Sequence, residues 1–175
     1  MVIRPDGTGQ KFCERLTTGF AWQPDSKGLV VTGASFLGWR GIAIWRPGEG
    51  TFDIVLEENG EVSSEEFGEP CLSPRGDILA FSYEARAKDT GKREPVSVRC
   101  LDLKSKQVAV VAAGEGGCWS PRFLPDGRIG FLSSDDAAFA WVIADRAEVA
   151  AVDGSGRKTL AMVPGELFHS FVIVP

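Results

Sequence analysis

Four prolines constrain this chain more than any other feature. Pro24, Pro74, Pro125 and Pro175 follow one another at separations of 50, 51 and 50 residues. Each stands two positions after a large apolar residue: Trp22, Leu72, Phe123 and Ile173. The first three lead through a polar turn into a short apolar run, as in "WQPDSKGLVV", "LSPRGDILAF" and "FLPDGRIGFL". A second marker keeps the same period: "RPDGTGQK" around Asp6 returns as "AVDGSGRK" around Asp153, 147 residues later, close to three periods. Two markers on one period identify an internal repeat, and a repeat of this length specifies an array of small, similar units.

The physical reading of one unit follows from its turn residues. An apolar stretch before the proline forms a first strand, A. Proline presets φ for a tight turn, aspartate suits the next position and glycine tolerates the backbone that follows. The apolar run after the turn is strand B. A variable loop leads to strand C, seen in "IAIWRP", "VSVRCLDL" and "AEVAAVD", and a further turn to strand D, as in "KTLAMV". No stretch combines helical periodicity with helix caps. The 21 glycines and ten prolines, spread along the chain, fit many short strands and turns.

Four antiparallel strands repeated at this interval describe a β-propeller blade. The pattern carried by "SPRFLPDGRIGFLSS" (Ser120 to Ser134) and by the D-G-S-G turn resembles the TolB-type, WD40-like propeller repeat. Two copies depart from it: Arg75 replaces the turn aspartate in the second, and Ser26 replaces the glycine in the first, with one added residue. The resemblance implies an all-β domain of about three four-stranded antiparallel blades with partial strands at both ends. The units are a C–D piece over 1–19, blades over 20–69, 70–120 and 121–170, and an A-strand piece over 171–175. Three blades fall short of the four to eight that close a propeller. The sequence leaves three routes to a ring: a longer chain, two copies acting as a homodimer, or a thin fourth blade assembled from the chain's own ends.

Composition narrows the function classes. A net charge of −5 and a pI near 5.0 argue against a general nucleic-acid binder, which needs clustered positive charge. The longest apolar runs, "FAWVIA" and "VAVVAA", have strand lengths and not membrane-spanning ones. The N-terminus lacks an apolar leader; a cytoplasmic location is expected if Met1 is the native start, and a periplasmic or extracellular one if a leader is removed. Cys13, Cys71, Cys100 and Cys118 form no C-x-x-C and are expected as buried free thiols, with one disulfide open to an exported chain.

No motif names a reaction. His169, in "PGELFHSF", is the sole histidine, so any Ser-His-Asp or Cys-His mechanism must use it, and it lies far from any cysteine pair that could share a metal. "GSGRKT" fails the phosphate-loop spacing and stands in a β-turn. The acidic stretch from Glu57 to Glu69 holds six glutamates and reads as an exposed hairpin around "NG" followed by a solvated linker. No catalytic residue, metal or cofactor is therefore expected.

Binding on propellers resides in variable loops. The B–C loops here differ sharply and share one face of the ring. Their candidate partner-binding residues are Trp39 and Arg40 in the first loop, Arg86 and Lys88 in the second, and Asp135 and Asp136 in the third. Trp and Arg are favoured at interface hot spots; Trp39 could equally cover its own blade. The expected function is a non-enzymatic scaffold that binds a protein or peptide. The alternative implied by the resemblance is a fragment of the propeller cap of a larger prolyl-oligopeptidase-like serine hydrolase.

Overall fold

A computed structural model of the chain describes residues 17–34, 39–57, 62–136 and 144–166. Within them lie twelve strands and no helix. The first sheet comprises β1 (Gly19–Trp22), β2 (Leu29–Ala34), β3 (Trp39–Arg46) and β4 (Thr51–Glu57). The second comprises β5 (Val62–Leu72), β6 (Ile78–Ala87), β7 (Ser97–Asp102) and β8 (Val108–Ala112), and the third β9 (Cys118–Phe123), β10 (Ile129–Ser133), β11 (Ala144–Ala150) and β12 (Lys158–Glu166). Each sheet is an antiparallel meander in which neighbours in sequence pair in space. One backbone pair, Ala34 opposite Glu66, joins the first sheet to the second. Strands A, B, C and D of the sequence repeat are these four strands, three times over. His169, Cys13, the Asp6 turn and the terminal strand pieces fall outside the described residues.

The repeat prolines turn the chain between strands A and B. In the third copy the Gly127 N–H donates to the Leu124 carbonyl, and the Leu124 N–H to that of Arg128. In the second, Gly76 donates to Ser73, and Ser73 to Ile78. The glycines sit at φ 84° and 74°, left-handed values that cost a side chain about 1 kcal/mol. The first copy has Ser26 at φ 58°, so the irregular residue of the sequence takes the same backbone conformation. Its closing bond runs from Gln23 to Gly28 and so encloses as many residues as the Ser73–Ile78 bond. The first two turns thus match in length, and the third is shorter by one residue.

The acidic stretch departs from the sequence reading. Val62–Leu72 is the longest strand, not a solvated linker. Glu65 and Phe67, two apart, project toward the first sheet, and both are buried. The Tyr83 hydroxyl donates to Glu65 Oε1 at 2.6 Å. An internal hydroxyl takes the place of solvent for this carboxylate, which is how an acidic sequence forms an interior strand. The "NG" hairpin lies outside the described residues.

Two apolar seams hold the sheets face to face. Val30, Ile42 and Ile44 of the first sheet pack on Phe67, Leu79, Phe81, Tyr83 and Leu101 of the second. Ala80, Val98, Cys100 and Val111 of the second pack on Cys118, Ile129, Phe131 and Ala150 of the third. Cys71, Cys100 and Cys118 are free thiols. Burial pushes Cys100 up to about 12 and Cys118 up to about 11.

Candidate functional site: the groove along the inner strands

Strand A is the inner strand of each sheet, so β1, β5 and β9 stand side by side. The approach of β1 to β5 requires glycine at position 19. A side chain at Gly19 would place Cβ 2.6 Å from Pro70 Cδ. The repeat equivalents of Gly19 are Glu69 and Ser120, at steps of 50 and 51 residues. Both carry left-handed backbone, φ 49° and 53°, at bulges in β5 and β9.

Glu69 uses that bend to bridge two sheets. Its Oε2 accepts from Ser82 Oγ and from the Ser120 backbone N–H, each at 2.7 Å. Its Oε1 accepts from Ser120 Oγ at 2.5 Å. Ser82 and Ser120 are fully buried. The first sheet is tied to the second differently: Thr18 Oγ1 donates to the Phe67 carbonyl and lies 2.9 Å from Thr32 Oγ1.

Between these inner strands runs an open groove of about 610 Å³. One wall is Thr18 to Trp22 and Pro24, the other Glu69 to Pro74, and Arg122 is the cation at its side. Phe20 and Trp22 are 62% and 47% exposed. The prolines of both walls and these two aromatics share the lining with polar groups in nearly equal measure. Glu69, held by the neutral groups of Ser82 and Ser120, and Arg122, whose Nη1 donates to the Pro121 carbonyl at 2.8 Å, are the two charged side chains that line it. Such a channel can hold an extended chain segment. Among the described residues no cluster of His, Cys, Asp and Glu has the form of a metal site.

The six loop candidates lie elsewhere. Trp39 opens β3 and is 8% exposed, with its ring edge-on to Phe52 at 5.4 Å and lying over Gly33. Most of this indole is covered by its own sheet. Arg40 is half-buried beside it; Arg86 and Lys88 are exposed at the end of β6 and in the turn after it. Arg93 in that B–C loop pairs with buried Glu84, which anchors the loop. Asp135 and Asp136 are exposed. Asp135 pairs with Arg146, and its backbone N–H donates to Asp145 Oδ2 at 2.9 Å. The Ser134 hydroxyl, then that N–H, hold the Asp145 carboxyl below its ordinary range. The structure gathers these residues at the B–C ends of the sheets, but none of them lines the groove. Two of its own residues carried a sequence signal of a kind: Trp22 and Leu72, like Phe123, mark strand A, the strand a propeller turns toward its axis.

No family model matches the sequence, and no curated protein matches it. Solved structures do. The TolB-designated protein of Agrobacterium tumefaciens superposes with a TM-score of 0.66 at 21% identity, over 90% of this chain and 55% of its own. TolB of Acinetobacter baumannii gives 0.58 at 21% identity, over 87% and 34%. An oligogalacturonate lyase in complex with manganese gives 0.61 at 13%, over 89% and 42%. The fold is an incomplete, TolB-like β-propeller. The chain spans from about a third to just over half the length of these structures, and at such identities the likeness is one of fold.

Proposed function

We propose that this propeller arc is a non-enzymatic interaction scaffold that binds an extended peptide segment of a partner protein along its inner groove. The observation that carries the reading is the pairing of exposed Phe20 and Trp22 with Arg122 around one open channel. Fully burying an aromatic of this size against a ligand is worth roughly 1.5–3 kcal/mol. Arg122 keeps guanidinium N–H groups beyond the one it gives to the Pro121 carbonyl, and these offer a charged donor to a carboxylate. The groove selects for apolar side chains near an acidic residue or a C-terminus, and the exposed loop residues Arg86, Lys88, Asp135 and Asp136 are left on a separate face as the competing site.

Selection of displayed peptides on the 175-residue chain tests this. Peptides recovered on the wild type should lose at least tenfold in affinity with Trp22→Ala and with Arg122→Glu. If those two variants bind as the wild type does, while Arg86→Glu or Asp136→Lys abolishes binding, the loop face is the site and the groove is not.

A second reading has its own support. A puromycin hydrolase superposes over 87% of this chain but only 22% of its own length. The arc would then be part of the propeller cap of a larger serine hydrolase. An α/β-hydrolase segment with its own serine and histidine in the same reading frame would establish that.

A further inference from the structure

The three inner strands carry one repeat but do not present the same edge. Phe20 of β1 corresponds to Pro70 of β5 and Pro121 of β9, at steps of 50 and 51 residues. Both prolines sit where the register of their strand shifts, between Gly68 and Cys71 in β5 and between Trp119 and Arg122 in β9. A proline without an N–H, and a bulge that breaks the ladder, are two devices that stop an edge strand from accepting another strand. β1 has neither. Gly19 to Trp22 pair with Thr32 to Leu29 in unbroken register.

That register sets which way the backbone of β1 points. The Gln23 N–H donates to the Gly28 carbonyl at 2.9 Å and closes the turn as a hydrogen-bonded pair. Bonded and unbonded pairs alternate along an antiparallel ladder. Ala21 opposite Val30 is therefore the next bonded pair, and Trp22 opposite Leu29 and Phe20 opposite Val31 are the unbonded ones. The N–H and C=O groups of Phe20 and Trp22 thus point away from β2, and both residues line the groove. Among the described residues β1 pairs with β2 alone. On β5 the same alternation, counted from Ser73 opposite Ile78, turns Leu72 outward. The next outward place there belongs to Pro70, which has no N–H to give.

We infer that the partner segment joins the first sheet as an added strand on the free edge of β1, bonded to the backbone of Phe20 and Trp22. This rests on the groove reading above and specifies its mode: main-chain bonds hold the segment, and alternate side chains select it. Phe20 and Trp22 share one face of the sheet with Val31 and Leu29, and Gly19 and Ala21 share the other with Thr32 and Val30. The two aromatics are exposed, while Gly19 is pressed against Pro70. An added strand sets every second side chain beside the aromatics, where large apolar groups gain cross-strand contact. The side chains between them fall on the side of Gly19 and Ala21, where small residues fit. The segment recognised is therefore an extended stretch with large apolar residues two apart, a small residue between them and an acidic group toward Arg122. It carries no proline where its N–H groups meet β1.

A synthetic copy of the tightest peptide selected on the 175-residue chain, N-methylated at one residue at a time, tests this by fluorescence anisotropy. N-methylation should weaken binding at least about tenfold at two positions two residues apart, and leave the amide between them within about threefold of the parent, because only alternate N–H groups point at β1. On the protein side, Phe20→Pro gives β1 the residue that β5 and β9 carry. It should abolish binding with an unchanged circular dichroism spectrum, and Phe20→Ala, which keeps the N–H, should lose less. Binding that Trp22→Ala and Arg122→Glu destroy, but that tolerates every N-methyl group, leaves the groove reading standing and overturns the added strand. So does a Phe20→Pro chain that folds and binds as well as Phe20→Ala. Binding indifferent to Trp22→Ala and Arg122→Glu overturns the groove reading and the added strand with it. If the proline variant does not fold, the N-methyl series on the wild type decides alone.

Discussion

Replacing Glu69 probes the bridge between the second and third sheets. Three donors converge on its carboxylate, two of them from Ser120 and one from Ser82, and both serines are fully buried. Glu69→Ala strands all three. A hydrogen bond to a charged group is worth roughly 1.5–3 kcal/mol, and each buried donor left without an acceptor costs about 1–3 kcal/mol. The carboxylate is half-exposed, so water recovers part of the loss and the net cost should be about 2–4 kcal/mol. Glu69→Gln keeps an acceptor at Oε2 and an amide that can donate to Ser120 Oγ, and should cost only about 1 kcal/mol. Glu69→Gly loses the same bonds as alanine but relaxes a backbone at φ 49°, which recovers about 0.5–1 kcal/mol. Urea unfolding followed by circular dichroism should therefore rank wild type, glutamine, glycine and alanine in falling order of midpoint. An alanine variant within about 0.5 kcal/mol of wild type, or a glutamine variant as damaged as the alanine one, would refute the bridge as a source of stability.

Gly76→Ala should cost more than Gly127→Ala in the same assay. Both glycines have left-handed φ, but a Cβ at Gly76 meets Pro24 Cδ at 2.7 Å while nothing lies near one at Gly127. Ser26→Gly, at φ 58°, should raise the midpoint slightly. Burial, then the neighbouring Glu84, lifts the Glu66 carboxyl above its ordinary 4.5. The folded chain holds that proton longer than the unfolded one, so stability falls as pH rises from 4.5 through the raised value. Glu66→Gln should flatten that part of the pH–stability profile. In a Cys13→Ser background, a thiol reagent should modify half-buried Cys71 first. Cys100 and Cys118, pushed to about 12 and 11, should react only on unfolding.

The strand plan was legible because its signals are local. A proline presets φ, a glycine accepts a positive one, and alternating apolar runs need a partner sheet, so the period around Pro24, Pro74 and Pro125 carried the architecture. The acidic strand was not legible: Glu65 looks solvated until Tyr83, eighteen residues away, supplies a hydroxyl. Loop logic pointed to Trp39, whose indole the sheet covers through Gly33 and Phe52. The groove depends on three inner strands from distant parts of the chain, and only their tertiary arrangement shows that Phe20, Trp22 and Arg122 line one channel.

The two inner joints are chemically unlike, and this solves a difficulty peculiar to repetitive chains. Sheets that resemble one another can stack in the wrong order, which is how repeat proteins misassemble. One joint closes with threonines over a bare glycine, Thr18 and Thr32 beside Gly19. The other closes with a carboxylate between serines. A third sheet set against the first would face Gly19, which has no carboxylate to receive Ser120. A first sheet set against the third would leave Glu69 without the two donors of Ser120. The order of the sheets is thereby written into their seams, one residue per repeat, at the position where the repeats diverge from glycine to glutamate to serine.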